Sequence, residues 1–123
     1  MPTTRRKIVV VDDDPSVLRL LEQTLRGDGW DVDTVSTAAE AVASFYLHEP
    51  DAAVIDIALG ESDGFVLARR LRDMFPGLPV VLISSEVEAQ HAMRVYLGTP
   101  QPSFLAKPID AAVLRRVLRK IVG

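Results

Sequence analysis

The chain contains no cysteine among its 123 residues. This absence excludes disulfide bonds, thiolate metal ligands and cysteine nucleophiles, because each of them requires a thiol. A chain without thiols also suits a reducing compartment, so the predicted location is the cytoplasm.

Long apolar runs are missing as well, although 48% of the residues are hydrophobic. No segment reaches the roughly 18 to 20 apolar residues that a membrane span needs. The aliphatic run at 8–11 is too short for the apolar region of a signal peptide. Excess positive charge is absent too, since the formal net charge is −3. We therefore predict no membrane segment, no export signal and no direct nucleic-acid binding by this chain.

What is present fits one domain, predicted to span residues 1–123. Short aliphatic runs predict strands that are buried on both faces of a parallel sheet. These four runs lie at 8–11, 52–57, 80–83 and 103–106. A weaker strand is predicted over 30–36, where Trp30, Val32 and Thr34 alternate with aspartates.

Segments with helical spacing of apolar residues separate the predicted strands. The first has Asp14 as a natural N-cap and Pro15 at its first position, and Gly27 ends it. The other four predicted helices cover 37–47, 65–75, 86–97 and 110–122. Alternating strands and helices predict an α/β domain with a parallel sheet, right-handed crossovers and helices on both faces.

Such sheets bind ligands beyond the carboxyl ends of their strands. The polar residues that end or follow the strong strands are Asp12, Asp13, Asp14, Asp56, Ser84, Ser85 and Lys107. Two carboxylates about 4 Å apart repel by about 4 kcal/mol at an effective dielectric constant near 20, so a cation is expected between them. Because Mg²⁺ prefers oxygen ligands, Asp12, Asp13 and Asp56 are the predicted magnesium pocket.

The same edge carries the groups that phosphoryl transfer needs. Asp56 is the predicted nucleophile, because an apolar run holds it rigidly and excludes water. Ser84 would donate a hydrogen bond to a phosphoryl oxygen, and Lys107 would supply positive charge. Helix capping fully explains Asp14. Metal, nucleophile, hydroxyl and cation together indicate phosphoryl transfer by positioning and charge neutralisation.

Four segments resemble the receiver domain of bacterial two-component response regulators. They read VVVDDDPS, VIDIALGESDGF, VVLISSE and FLAKPI, in this order and over essentially the whole chain. The resemblance implies a flavodoxin-like fold, with a five-stranded parallel sheet in the order 2-1-3-4-5 and five flanking helices. It implies a phosphoprotein of a phosphorelay that forms an aspartyl phosphate, changes its binding surface and turns over no external substrate, so it is not an enzyme.

The resemblance also implies roles at the pocket. Asp56 would accept the phosphoryl group from a histidine kinase in a Mg²⁺-dependent reaction. Asp13 and Asp56 would bind Mg²⁺ directly, the backbone carbonyl of Ala58 would be a further ligand, and Asp12 would act largely through water.

Further implied roles concern switching and local geometry. Ser84 would reorient toward the phosphoryl group, and Phe104 would be the aromatic switch. The Lys107-Pro108 bond would be cis, and Asp63-Gly64 would form the turn into the third helix. Two departures stand out, since Gly60 replaces a proline common in the family and the segment GTPQPS looks longer than usual.

Implied partners are a sensor histidine kinase or phosphotransfer protein, and a downstream effector protein or fused output domain. A homodimer through the face of the predicted fourth and fifth helices is consistent with the resemblance, whereas membrane and nucleic-acid partners of this domain are not expected. Two alternatives stay open. A phosphatase of the haloacid-dehalogenase type would use Asp12 as nucleophile and Asp14 as acid/base, and a receiver-like scaffold would act without phosphorylation.

Overall fold

The computed structural model describes residues 6–60, 62–85 and 102–123. Within them, strands and helices largely alternate along the chain. In chain order these are β1 (Lys7–Val11), α1 (Pro15–Gly27), β2 (Asp31–Val35), α2 (Ala38–His48), β3 (Ala52–Asp56), β4 (Ala58–Leu59), β5 (Ser62–Asp63), α3 (Gly64–Met74), β6 (Val80–Ser84), β7 (Ser103–Ala106) and α4 (Ala111–Val122).

The main sheet contains five parallel strands in the order β2-β1-β3-β6-β7. These five strands correspond to the five predicted strands, and they lie side by side in the predicted order. The predicted numbering 2-1-3-4-5 needs correction, because β4 and β5 form an additional antiparallel hairpin between β3 and α3. Two-residue strands carry no periodic pattern, so the sequence did not indicate them.

The predicted total of five helices is also corrected, since the described part of the chain contains four. The predicted helix at 86–97 and most of GTPQPS lie outside the described residues. The helix predicted over 110–122 is α4, which begins one residue after its cap, Asp110. None of the described helices is long and apolar enough to cross a membrane.

Buried side chains form one cluster on each face of the sheet. Successive residues of a strand point to opposite faces, so Val9 joins one cluster and Val10 the other. Phe45 of α2 and Leu71 of α3 belong to the first cluster, whereas α1 and α4 contribute to the second. Because each large buried aliphatic side chain contributes about 1.5–3 kcal/mol, this two-sided burial holds the strand ends in place.

Helix caps determine how the chain leaves the strands. Asp14 is the N-cap of α1, with its carboxylate accepting a hydrogen bond from the Ser16 amide, and Pro15 follows at the first helical position, as predicted. Thr37 caps α2 by accepting a hydrogen bond from the Glu40 amide. These helices therefore begin at the carboxyl edge of the sheet, beside the strand ends.

Candidate functional site

Four predicted site residues meet at the carboxyl edge of the main sheet. Asp12 directly follows β1 and is fully buried, and Asp56 ends β3 with 3% of its surface exposed. Ser84 ends β6 and is buried, whereas Lys107 directly follows β7 and is half-buried. Asp13 is exposed. Three neighbouring strands and the segment after β7 thus build one site.

Three carboxylates form an acidic pocket, consisting of Asp12, Asp13 and Asp56. One oxygen of each lies within 4.8 Å of the others. Two of the carboxylates are buried and Asp13 is exposed, so the pocket reaches solvent on the Asp13 side. Hard oxygen ligands open to water on one side are the environment in which Mg²⁺ keeps part of its hydration shell.

Lys107 bridges the two buried carboxylates. Its Nζ donates a hydrogen bond to Asp56 Oδ2 at 3.0 Å and lies 3.1 Å from Asp12 Oδ2. The second contact is an ion pair without hydrogen-bond alignment, so Asp12 Oδ2 is buried without a hydrogen bond in the described structure. One cation therefore faces two buried carboxylates and a third carboxylate nearby, which leaves negative charge for another cation to neutralise.

Backbone amides hold the remaining oxygens of the buried carboxylates. Asp12 Oδ1 accepts a hydrogen bond from the Asp14 amide at 2.9 Å, and Asp56 Oδ1 accepts one from the Ala58 amide at 3.0 Å. Each carboxylate is therefore oriented with its Oδ2 toward Lys107. The sequence pattern did not reveal these two amide donors, because any residue type can supply an amide.

The pKa values of Asp12 and Lys107 reflect this arrangement. Burial raises the pKa of the Asp12 carboxyl and outweighs the hydrogen bond from the Asp14 amide, which lowers it. The Asp56 charge raises this pKa further, and Lys107 lowers it. Burial alone would lower the pKa of the Lys107 ammonium, but its contacts with Asp56 and Asp12 outweigh burial and raise it. Its carboxylate contacts therefore favour the charged form of Lys107, whereas burial disfavours the charged form of Asp12.

The Ser84 hydroxyl is hydrogen-bonded to the adjacent backbone. The hydroxyl donates a hydrogen bond to the backbone carbonyl of Ser85 at 3.0 Å. The Ser84 carbonyl accepts a hydrogen bond from the Lys107 amide at 2.8 Å, which links the ends of β6 and β7. Ser84 thus lies next to Lys107, and its hydroxyl would have to release the Ser85 carbonyl before it could donate to another acceptor.

Phe104 is half-buried at the β7 position expected for an aromatic switch. Its ring lies 6.2 Å from that of Phe65, measured between centroids, and the two rings are tilted by 52°. The Lys107-Pro108 bond is cis, as predicted.

Comparison of the chain with models of protein families identifies its family. The family model described as "Response regulator receiver domain" matches residues 8–119. The chain belongs to this family. It is a receiver domain of the two-component response regulators, whose signalling is controlled by phosphorylation.

Named relatives of this receiver domain are transcriptional regulators. It is 34% identical over 120 residues to the alkaline phosphatase synthesis transcriptional regulatory protein PhoP of Bacillus subtilis, covering 94% of this chain and 49% of that protein. It is 35% identical over 111 residues to the transcriptional regulatory protein PrrA of Mycobacterium bovis, covering 90% and 47%. The chain therefore spans about half the length of these relatives.

Solved structures support the same assignment. The receiver domain of NtrX from Brucella abortus is 31% identical with a TM-score of 0.82, and 94% of this chain and 97% of that chain are covered. A response regulator receiver protein from Sinorhizobium medicae is 29% identical with a TM-score of 0.84, covering 96% and 94%.

Two glycines shape the loop after Asp56 in this receiver domain. A Cβ atom on Gly64 would lie 2.2 Å from the Asp56 backbone oxygen, and the Gly64 amide donates to the Ile57 carbonyl at 2.8 Å. Gly60 has φ +62°, a conformation that proline cannot adopt because its ring holds φ near about −65°. The departure from proline at position 60 therefore matches the local backbone.

A separate cleft of about 420 Å³ lies near the start of β1, away from the acidic pocket. Trp30 and three arginines line it, and two of these arginines already have partners. Arg115 forms an ion pair with Asp28 at 2.7 Å, and Arg6 donates a hydrogen bond to the Gly123 carbonyl at 3.1 Å. We assign this cleft no part in the acidic site.

Proposed function

We propose that this receiver domain is a signalling switch that accepts a phosphoryl group on Asp56 from a histidine kinase or phosphotransfer protein. One observation carries the proposal, namely that Asp12, Asp13 and Lys107 all converge on the buried Asp56 carboxylate. Asp12 is a poorer candidate for the acceptor, because it is fully buried, whereas Asp56 keeps 3% of its surface exposed.

Mg²⁺ is the proposed cofactor, and the residues present fit it. Asp13 and Asp56 would hold the ion with the Ala58 carbonyl, and Asp12 would act largely through water. The buried Asp12 Oδ2 without a hydrogen bond supports this assignment. When bound, Mg²⁺ supplies charge neutralisation for the incoming phosphoryl group.

The proposed reaction uses the chain's own groups in fixed roles. An Asp56 carboxylate oxygen forms a bond to phosphorus while the bond from phosphorus to the donor nitrogen of the partner histidine breaks. Lys107 would move from the free carboxylate to a phosphoryl oxygen, because that group carries nearly two negative charges. Ser84 would rotate away from the Ser85 carbonyl to donate to the same group, and Phe104 would follow.

Partner proteins would recognise the changed binding surface of this domain. The domain would turn over no external substrate. Residues 1–123 would form one domain located in the cytoplasm, with a downstream effector protein or fused output domain. The relatives named as transcriptional regulators support an output in transcription, with nucleic acid contacted outside this domain. A homodimer through the face of the predicted fourth and fifth helices remains part of the proposal.

Intact mass after incubation with acetyl phosphate and Mg²⁺ tests the phosphoacceptor. The wild-type chain should gain one phosphoryl group, and Asp56→Asn should gain none. Asp63→Asn is a matched control, because Asp63 is an exposed aspartate near the same edge and asparagine also caps helices well.

The alternatives give different results in this experiment. A label that persists in Asp56→Asn and disappears in Asp12→Asn would replace the switch with the phosphatase alternative. A wild-type mass that stays unchanged, with both acetyl phosphate and a cognate kinase, would favour a scaffold that works without phosphorylation.

A further inference from the structure

Two aromatic rings meet on the face of the sheet that α2 and α3 cover. Phe104 of β7 and Phe65 of α3 both pack against the buried cluster that contains Phe45 and Leu71. The ring centroids of Phe104 and Phe65 are 6.2 Å apart and the rings are tilted by 52°, an arrangement in which aromatic rings attract each other. No other ring in the described part of the chain pairs with Phe104.

The backbone of Phe65 is held next to the proposed phosphoacceptor. Gly64 precedes Phe65, and a Cβ atom on Gly64 would lie 2.2 Å from the Asp56 backbone oxygen. The Gly64 amide donates to the Ile57 carbonyl at 2.8 Å, and the Phe65 amide donates to Asp63 Oδ1 at 2.7 Å. These contacts hold the start of α3, and with it Phe65, against the strand end that carries Asp56.

Phe104 is linked to the opposite side of the site through β6. It pairs with Leu82 in the sheet, and Ser84 pairs with Ala106. Ser84 follows Leu82 by two residues, about 7 Å along the strand, so both side chains project from the same face of the sheet. A rotation of the Ser84 side chain would therefore take place on the face that carries the Phe104 ring.

We propose that Phe65 is a positioning residue that holds the Phe104 ring in its resting place. This inference rests on the proposed function, in which Phe104 moves after Asp56 is phosphorylated. To move, the Phe104 ring must give up its contact with Phe65, because the strand end at Asp56 keeps Phe65 where it is. The ring contact therefore opposes switching and weakens the binding of a phosphoryl group, or of its mimic, to the resting domain.

The strength of an aromatic pair sets the size of the expected effect. A pair of this kind favours the paired arrangement by about two- to tenfold. A ligand that binds the switched state gains apparent affinity in proportion to the population of that state, as long as the population is small. Leucine at position 65 keeps an apolar side chain but removes the ring, so Phe65→Leu isolates the ring contact.

Titration with beryllofluoride in the presence of Mg²⁺ tests the inference, because this tetrahedral anion mimics a phosphoryl group on a carboxylate. Fluorine nuclear magnetic resonance observes the bound anion directly. Phe65→Leu should lower the dissociation constant of beryllofluoride about two- to tenfold relative to the wild type. Phe65→Tyr retains the ring and should bind beryllofluoride like the wild type.

Phe75→Leu is the matched control. Phe75 is also half-buried and packs against the same cluster, but its ring pairs with that of Phe45, at 5.5 Å between centroids and a tilt of 46°. Phe75→Leu should therefore keep the wild-type dissociation constant, even if it unfolds at a lower urea concentration. Urea unfolding confirms that each variant is folded under the conditions of the titration.

A double-mutant cycle tests whether Phe65 acts through Phe104. Phe65→Leu should change the dissociation constant in the wild-type background but not in the Phe104→Leu background, because Phe104→Leu has already removed the ring contact. A loss of packing at α3 that acted without Phe104 would change the dissociation constant equally in both backgrounds.

Three results would overturn the inference. These are a dissociation constant of Phe65→Leu that equals or exceeds that of the wild type, an equal gain in Phe75→Leu, and an equal effect of Phe65→Leu with and without Phe104. Each of them leaves the proposed function intact if the wild type binds beryllofluoride and gains a phosphoryl group on Asp56. A wild type that does neither would remove the proposed function and this inference with it.

Discussion

At the residue scale, three consecutive aspartates have three different environments. Asp12 is buried and orients its carboxylate on the Asp14 amide, whereas Asp13 is exposed at the rim of the acidic pocket. Asp14 accepts hydrogen bonds from Ser16 and caps α1, and these bonds lower the pKa of its carboxyl. Asp14 thus serves helix α1, whereas Asp12 and Asp13 stay close together in the acidic pocket.

Asp12→Asn should stabilise the metal-free protein at neutral pH. The pKa of the Asp12 carboxyl is raised above 3.8 in the folded state, so its charged form destabilises the fold at higher pH. The advantage of asparagine should shrink as pH falls through the raised pKa and vanish below 3.8, where aspartate is neutral in both states. Urea unfolding at several pH values without Mg²⁺ measures this. A gain that persisted unchanged at low pH would contradict the explanation.

Gly64→Ala should destabilise the fold by about 1–3 kcal/mol or more, because its Cβ would meet the Asp56 backbone and neither segment can move freely. Urea unfolding gives the change in the free energy of unfolding. Gly27→Ala is the control, since no atom lies within 4 Å of a Cβ there and its φ is not in the left-handed region. Equal losses in the two variants would show that the close approach at Gly64 is not the cause.

At the element scale, local signals predicted most helices and strands. Aliphatic runs identified β1, β3 and β6 because a strand buried on both faces has few polar positions. The run at 103–106 also forms a strand, but β7 is only partly buried and not buried on both faces as predicted. Caps at Asp14, Thr37 and Asp110 identified helix starts, because unpaired amides at a helix N-terminus need acceptors. The β4–β5 hairpin was not predicted, since strands of two residues carry no periodic pattern.

Thr37→Ala should lower the free energy of unfolding by about 1 kcal/mol, because the Glu40 amide loses the hydroxyl that caps α2. Thr37→Ser retains the hydroxyl and should keep most of the stability. Thermal or urea unfolding distinguishes the two variants. If alanine and serine behaved alike, the cap would not stabilise the fold measurably.

At the scale of the whole molecule, the charge balance of the acidic pocket links metal binding to stability. Mg²⁺ at about 100 times its dissociation constant should stabilise the fold by about 2.7 kcal/mol, provided that the unfolded chain does not bind it. Thermal unfolding with Mg²⁺ and with EDTA measures the difference. Asp13→Asn should remove most of this stabilisation, whereas Asp14→Asn, which retains the cap, should keep it. Equal Mg²⁺ effects in the two variants would remove Asp13 from the metal site.

Helix α2 shows where sequence patterns reach their limit. Large apolar residues lie on both the inner and the outer side of α2, so the apolar pattern alone does not tell which side faces solvent. The packing of α2 at the sheet, with Phe45 inward and Tyr46 outward, decides this.

The sequence by itself determined the fold class, the helix caps and which residue types end the strands, because periodicity and capping are local properties of the chain. Only the tertiary structure determined the distances between the side chains of the acidic pocket and Lys107. The pairing of Val11 with Ile55 places Asp12 beside Asp56, and the pairing of Ser84 with Ala106 brings Lys107 to them. Strand register depends on contacts between segments far apart in sequence, so no local pattern specifies it.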